Sequence, residues 1–150
     1  MVDDPGRHEV VIFIRATPTE IWRGLTDPTL TRDYWYGTAI VSDWTPGARW
    51  TSEAGDELYL EGEIVEIDEP HRLVQTFHVA IEKPAADDPP STVTWEVTPM
   101  GDSSRLKLVH EGMGAATREY VEDGWELILS GLKTLLETGQ PLKIGEAATM

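Results

Sequence analysis

The stretch from Thr117 to Thr138, TREYVEDGWELILSGLKTLLET, constrains the fold more than any other part of the chain. At about 100° per residue, Val121, Trp125, Ile128, Leu129, Leu132, Leu135 and Leu136 fall on one stripe. Glu122, Glu126, Lys133 and Glu137 fall on the other side, so the spacing predicts one amphipathic helix over 117–138. At about 1.5 Å rise per residue it would be roughly 33 Å long, enough to cross several strands. Its apolar stripe needs a broad apolar partner. Gly124 and Gly131 share a flank of that stripe, and each would cost about 1 kcal/mol relative to Ala inside a helix. A close approach of a strand, or of a ligand, would account for them.

The partner must come from the preceding residues, and their pattern is β. His8 to Ala16 (HEVVIFIRA) is rich in β-branched residues and reads as a strand. Thr17, Pro18 and Glu20 then form a capping box with proline at the first helical position, opening a helix that buries Ile21, Trp22 and Leu25. Asp27-Pro28 ends it and caps a second short helix over Thr29 to Asp33. Candidate strands follow at Thr38–Asp43, Ala48–Ser52, Glu57–Ile67, Arg72–Ile81, Thr92–Pro99 and Arg105–His110. Pro46-Gly47, Gly55-Asp56, Glu69-Pro70 and Gly101-Asp102 separate them, and connections this short imply an antiparallel meander. The segment from Lys83 to Pro90 reads as an exposed loop or flap, because its prolines and acids suit neither a strand nor a core. Residues 139–150 lack periodicity and read as a loose tail.

Alternation divides this sheet into two faces. Leu58, Leu60, Gly62 and Ile64 oppose Glu57, Tyr59, Glu61 and Glu63, while Val93, Trp95 and Val97 oppose Thr92, Thr94, Glu96 and Thr98. Leu106, Leu108 and His110 share one side of the last strand. With one apolar face and one wet face, the sheet has a single covered side, and the C-terminal helix is its cover. The expected class is α+β: about seven antiparallel strands in β-α-α-β6-α order on a long C-terminal helix. The expected domain is single and spans 1–150, with its core at 8–138.

Charge and composition remove several functions. The chain has 150 residues, 12 Lys plus Arg and 27 Asp plus Glu, for a formal charge of −15. Duplex recognition rests on many cationic contacts to phosphate, so neither nucleic acid nor an anionic membrane is an expected partner. No apolar run approaches 18 residues and the N-terminus lacks a basic segment followed by an apolar one, so a cytoplasmic location is expected. There is no cysteine, which excludes thiol catalysis and thiolate metal sites. Glu53, Asp56, Glu57, Glu61, Glu63, Glu66, Asp68 and Glu69 occur with no Lys or Arg among them. Such a band is a solvated face that maintains solubility, or a docking surface for a basic partner.

Several words in this order resemble the helix-grip superfamily called SRPBCC or START-like, and within it the homologues of the heat-shock-protein-90 ATPase activator. The words are Ala16-Thr17-Pro18-Thr19-Glu20-Ile21-Trp22 with Leu25-Thr26-Asp27-Pro28, then Leu30 and Trp35, then Asp43-Trp44-Thr45-Pro46-Gly47. Further along stand Gly62 to Pro70 (GEIVEIDEP) with Arg72-Leu73-Val74, His110-Glu111-Gly112-Met113, and Gly124-Trp125 with Leu132 and Leu136. Ala48 departs from the second glycine usual after Pro46-Gly47. The resemblance covers about residues 8 to 138. It implies a curved sheet gripping the helix, with a cavity between them that commonly holds an apolar small molecule. Relatives include lipid carriers, hormone binders, aromatic-polyketide cyclases and a domain that docks on the chaperone. By that resemblance the chain is expected to correspond to the single START-like domain, with no spare length for the separate chaperone-binding domain of the eukaryotic activator.

Face pattern and resemblance together place Trp35, Trp50, Leu60, Phe77, Trp95, Leu108, His110, Trp125 and Leu129 at the expected ligand site. Trp22 and Trp44 are expected to be structural. Apolar walls with a few polar groups describe small-molecule sites generally. His110 is the weak catalytic candidate: an inward imidazole can hydrogen-bond a ligand or move a proton near neutral pH, or be a core histidine bonded to a backbone carbonyl. His78 is expected to face solvent. No HExxH, EF-hand, GxSxG, Walker or GxGxxG word occurs. No metal and no cofactor are therefore expected. The leading expectation is a domain that binds a hydrophobic or aromatic small molecule between sheet and helix. The alternative is a chaperone-linked or stress-response module with a protein partner. A cyclase or hydrolase would need His110 with Tyr34, Tyr36 or Tyr59.

Overall fold

The computed structural model of the chain describes residues 4–143. Its strands are β1 (His8–Ile14), β2 (Ala39–Ser42), β3 (Arg49–Ala54), β4 (Glu57–Asp68), β5 (Arg72–Val79), β6 (Ser91–Met100) and β7 (Ser103–Glu111). Its helices are α1 (Pro18–Thr26), α2 (Pro28–Tyr34), α3 (Ala115–Val121) and α4 (Gly124–Thr138). All seven strands join one antiparallel sheet in the order β1-β7-β6-β5-β4-β3-β2. The meander accounts for β2 to β7, and β1 closes onto the far edge of β7 with Ile12 opposite Leu106. The expected α+β class and element order are thus observed. Of the expected tail 139–150, residues 144–150 lie outside the described residues.

The local signals act as their chemistry requires. Thr17 Oγ1 accepts from the Glu20 amide while the Glu20 carboxylate accepts from the Thr17 amide, with Pro18 at the first helical turn. Asp27 closes α1 and opens α2, its carboxylate accepting from Thr29. These caps satisfy amides that a helix start otherwise leaves orphaned.

The C-terminal helix differs from its expected span. It is divided, because Glu122 leaves the helical region with ψ at 128° and Asp123 adopts a left-handed φ of 62°. Only α4, from Gly124 onward, is the long helix, about 22 Å at 1.5 Å per residue. Gly124 therefore opens a helix instead of weakening the interior of one. Gly131 does lie inside α4, and neither a strand nor a ligand explains it. A Cβ there would stand 3.0 Å from Tyr34 Cβ, so the glycine admits α2. Trp125, Ile128, Leu129, Leu132 and Leu135 of α4 are buried in the core with Ile14, Ile64, Leu73, Val93, Leu106 and Leu108 of the sheet.

The loop from Lys83 to Pro90 is not a free flap. Ala85 is buried, and the Asp88 carboxylate accepts from both the amide and the hydroxyl of Thr117 in α3. Gly114 makes room for this carboxylate, since a Cβ would lie 2.5 Å from it. An acid in this loop thus satisfies the donors that open α3, which the sequence pattern of the loop alone did not show.

Candidate functional site

Two β-bulges decide which side chains reach the interior. Across β3 and β4, Ser52 pairs with Leu60 and Glu53 with Leu58, leaving Tyr59 unopposed. Its carbonyl accepts from both Ala80 and Ile81. The extra residue breaks the alternation that would put Tyr59 on the wet face, and the ring packs against the core instead. The second bulge, at Val65, leaves that side chain 52% exposed and turns Ile67 toward the core.

Between the sheet and the helices lies a chain of aromatic rings. Trp125 of α4 meets Trp35 at 5.6 Å between centroids, Trp95 at 5.7 Å and Phe77 at 5.8 Å, and Phe77 reaches Trp50 at 6.1 Å. These are tilted or edge contacts, which suit the ring quadrupoles. The indole N–H groups of Trp50, Trp95 and Trp125 each have an acceptor. Trp95 Nε1 donates to Gln75 Oε1 at 2.8 Å, and Trp50 Nε1 donates to the Thr76 carbonyl at 2.7 Å. The latter bond passes over Gly62, where a Cβ would lie 2.3 Å from Trp50 Nε1 and 2.0 Å from Thr76 O.

His110 belongs to this packed group. Trp125 Nε1 donates to its Nδ1 at 3.0 Å, which fixes the neutral tautomer with the proton on Nε2. Nε2 then donates to Ser91 Oγ at 2.7 Å, and Ser91 Oγ donates to the Phe77 carbonyl at 3.3 Å. Burial pushes the pKa of His110 down to about 3, with smaller contributions from His8 and Arg118. The ring is neutral throughout the physiological range and both nitrogens are engaged. It is bonded to two side chains, not to a backbone carbonyl. His78 is partly buried on the outer face, with Nδ1 3.1 Å from Glu61 and Nε2 2.9 Å from the Ala86 carbonyl.

Two spaces open where the helix breaks. An apolar one of about 30 Å³ is walled by Trp35, Leu60, Phe77, Val121, Trp125 and Ile128, with Tyr120 and Gly124 at its edge. A more polar one of about 90 Å³ adjoins it, sharing Trp35, Leu60 and Tyr120 and adding Tyr36, Thr38, Ser52 and Tyr59. Three phenols therefore stand about its opening. Burial first, and then the Asp123 carboxylate, raises the pKa of Tyr36; burial, Glu82 and the neighbouring phenols raise that of Tyr120. Both are neutral hydroxyls at pH 7. Tyr36 itself has a left-handed φ of 50°, a conformation rare for a bulky residue.

Of the nine residues expected at a ligand site, Trp35, Leu60, Phe77 and Trp125 thus line open space. Trp50, Trp95, Leu108, His110 and Leu129 are packed in the core away from it. Sequence reasoning did not reach Ser52, Thr38 and Tyr120. Ser52 was within reach, since it lies two residues from Trp50 on the same strand face. Tyr120 was not, because its direction depends on the helix break.

This architecture, a seven-stranded antiparallel sheet holding one long C-terminal helix over an aromatic core, is that of a helix-grip domain. Residues 15–137 match the family described as Activator of Hsp90 ATPase homolog 1-like protein, and the chain belongs to that family. No curated protein sequence matches it. Among solved structures, it is similar to the HSP90 activator PFC0360w from Plasmodium falciparum, at 22% identity and TM-score 0.72, over 91% of this chain and 99% of that one. It is also similar to CalU16 from Micromonospora echinospora, at 20% identity and TM-score 0.71, over 89% of this chain and 77% of the other. Protein MLL2253 from Mesorhizobium loti is 25% identical, with TM-score 0.71 and coverage of 87% and 97%.

Proposed function

We propose that this protein binds a small, largely apolar molecule beneath the junction of α3 and α4. The observation that carries the reading is the pair of adjoining spaces sharing Trp35, Leu60 and Tyr120, beside a core of interlocked rings. Apolar walls with a few convergent hydroxyls are the usual make-up of such sites. The volumes of about 30 and 90 Å³ fall below the several hundred Å³ that drug-sized ligands occupy, so the occupant is small. The site is a binding site and not a catalytic one. His110, the expected proton carrier, is neutral and engaged at both nitrogens.

Thermal shift and native mass spectrometry over a panel of apolar compounds test this. A ligand at about 100 times its Kd stabilises the native state by about 2.7 kcal/mol. A specific adduct with a matching rise in Tm is expected, and no shift with any compound overturns the reading.

A second reading, an interaction module for the chaperone, is favoured by the outer face of β4. Glu63 is exposed there beside Glu61 and Glu66, which pair with Arg49 and Arg72. A salt-sensitive change in Hsp90 ATPase turnover on adding the purified chain would support it, and unchanged turnover at low salt would remove it.

A further inference from the structure

Among the described residues, one buried side-chain polar atom has no hydrogen-bond partner: Ser52 Oγ. Ser52 is 1% exposed, and it lines the space of about 90 Å³ beside Trp35, Tyr36, Thr38, Tyr59, Leu60 and Tyr120. Buried hydroxyls are normally paired, and among the described residues every other fully buried side-chain polar atom has a partner. Thr38 Oγ1 donates to the Trp35 carbonyl, Tyr34 donates to the Gly24 carbonyl, and Trp50, Trp95, Trp125, His110 and Ser91 are all engaged. The exception therefore sits in the wall of the more polar of the two spaces.

From this, and resting on the ligand-binding reading above, we infer that Ser52 is the polar anchor of the site and that its ligand is a neutral single-ring aromatic with one hydrogen-bonding substituent, phenol being the simplest. Three observations set the class. The size comes from the two volumes, which together approach the roughly 150 Å³ cavity known to hold a benzene ring. Neutrality comes from the lining, which contains no Lys, Arg or His in either space, so a carboxylate would be desolvated with no counter-charge. The substituent comes from Ser52 itself, whose hydroxyl both donates and accepts and so partners a phenol or a carbonyl. The ring would lie against Trp35 and Leu60, with Tyr36, Tyr59 and Tyr120 closing the opening. The geometry puts the polar pole of the site at Ser52 on β3, not at His110 on β7.

The test compares phenol with toluene, which replaces the hydroxyl by a methyl of similar size, on the wild-type protein and on Ser52→Ala, with Kd read by tryptophan fluorescence and thermal shift. A good neutral hydrogen bond corresponds to about a five- to tenfold change in affinity. The expected result is phenol binding about five- to tenfold tighter to wild type than to Ser52→Ala, with toluene unchanged. Ser52→Ala should fold normally, because it removes a hydroxyl that makes no bond. Equal effects on the two compounds, or none, would overturn the anchor and leave the binding reading standing. If larger apolar compounds bind and neither single-ring probe does, the ligand class fails alone. If nothing binds at all, the inference falls together with the reading on which it rests.

Discussion

The two ends of the space under the helices are built from the same kinds of residue and behave differently. Around Trp95, Trp125 and His110, rings interlock at centroid separations near 5.7 Å and every ring nitrogen has a partner. Around Trp35, Tyr59 and Tyr120, the packing stops short and Ser52 Oγ has none. The difference lies in the backbone. The first region faces the unbroken helix α4, while the second faces the interruption at Glu122 and Asp123 on one side and the bulge at Tyr59 on the other. Regular elements bring complementary faces together, and irregular ones leave room. Aromatic content alone is therefore a poor guide to where a ligand enters.

The sharpest way to break this comparison is to delete one ring from each end. Trp125→Ala should cost about 3–5 kcal/mol, because it opens a cavity and removes the donor to His110 Nδ1. Tyr120→Ala should cost under about 1.5 kcal/mol, since its ring is only partly buried at an existing opening. Urea denaturation of both variants checks the contrast, and equal losses would mean the two ends are packed alike.

Acid should act on the packed end. The folded pKa of His110, about 3, lies below its ordinary value of 6.5, so the unfolded chain binds the extra proton between those values. Stability should fall as pH drops from about 6.5 toward 3, by at most about 1.4 kcal/mol per pH unit. Between about 6.5 and 4.5 the lowered carboxylates such as Glu61 and Glu137 add little, so His110→Asn should flatten that part of the curve.

At Gly131 the packed end meets α2. Ala would gain about 1 kcal/mol of helix propensity, but its Cβ would press on Tyr34 Cβ at 3.0 Å. The net expectation is a loss of about 1–2 kcal/mol, read as a lower midpoint. A gain there would show that α2 yields more easily than the core does.

The smallest effect is expected at the open end. Ser52→Ala removes an orphaned hydroxyl and should stabilise the unliganded protein by about 1 kcal/mol. That corresponds to a rise in Tm of roughly 2–4 °C for a chain of this size. A fall instead would mean that the hydroxyl has a partner in solution.

Much of the fold was legible in the residues themselves. Thr17, Pro18 and Glu20 announced α1, Asp27-Pro28 the turn into α2, and the period of two in β6 its buried face. The candidate site was legible in part. Trp35, Leu60, Phe77 and Trp125 were reached through alternation, helical periodicity and family resemblance, and they do line open space. Tyr59 was assigned to the wrong face, because alternation assumes a regular ladder and a bulge shifts it by one residue. The span of the C-terminal helix was overestimated for a related reason. The apolar stripe runs continuously from Val121 to Leu136, while the backbone does not, and periodicity reports which residues want burial without reporting a break between them.

The sequence by itself determined the class, the strand order along the chain, and the fact that one sheet face must be covered by a helix, because these follow from local periods and caps acting over a few residues. Only the tertiary structure decided where that cover fits and where it fails. Whether His110 titrates, whether Gly131 admits a strand or a helix, and whether Ser52 finds a partner depend on groups far away in the chain. His110 meets Trp125 and Ser91, Gly131 meets Tyr34, and Ser52 Oγ meets no hydrogen-bonding group. Hydrogen bonds and close packing act over a few ångströms, and only the folded chain sets which atoms come that near.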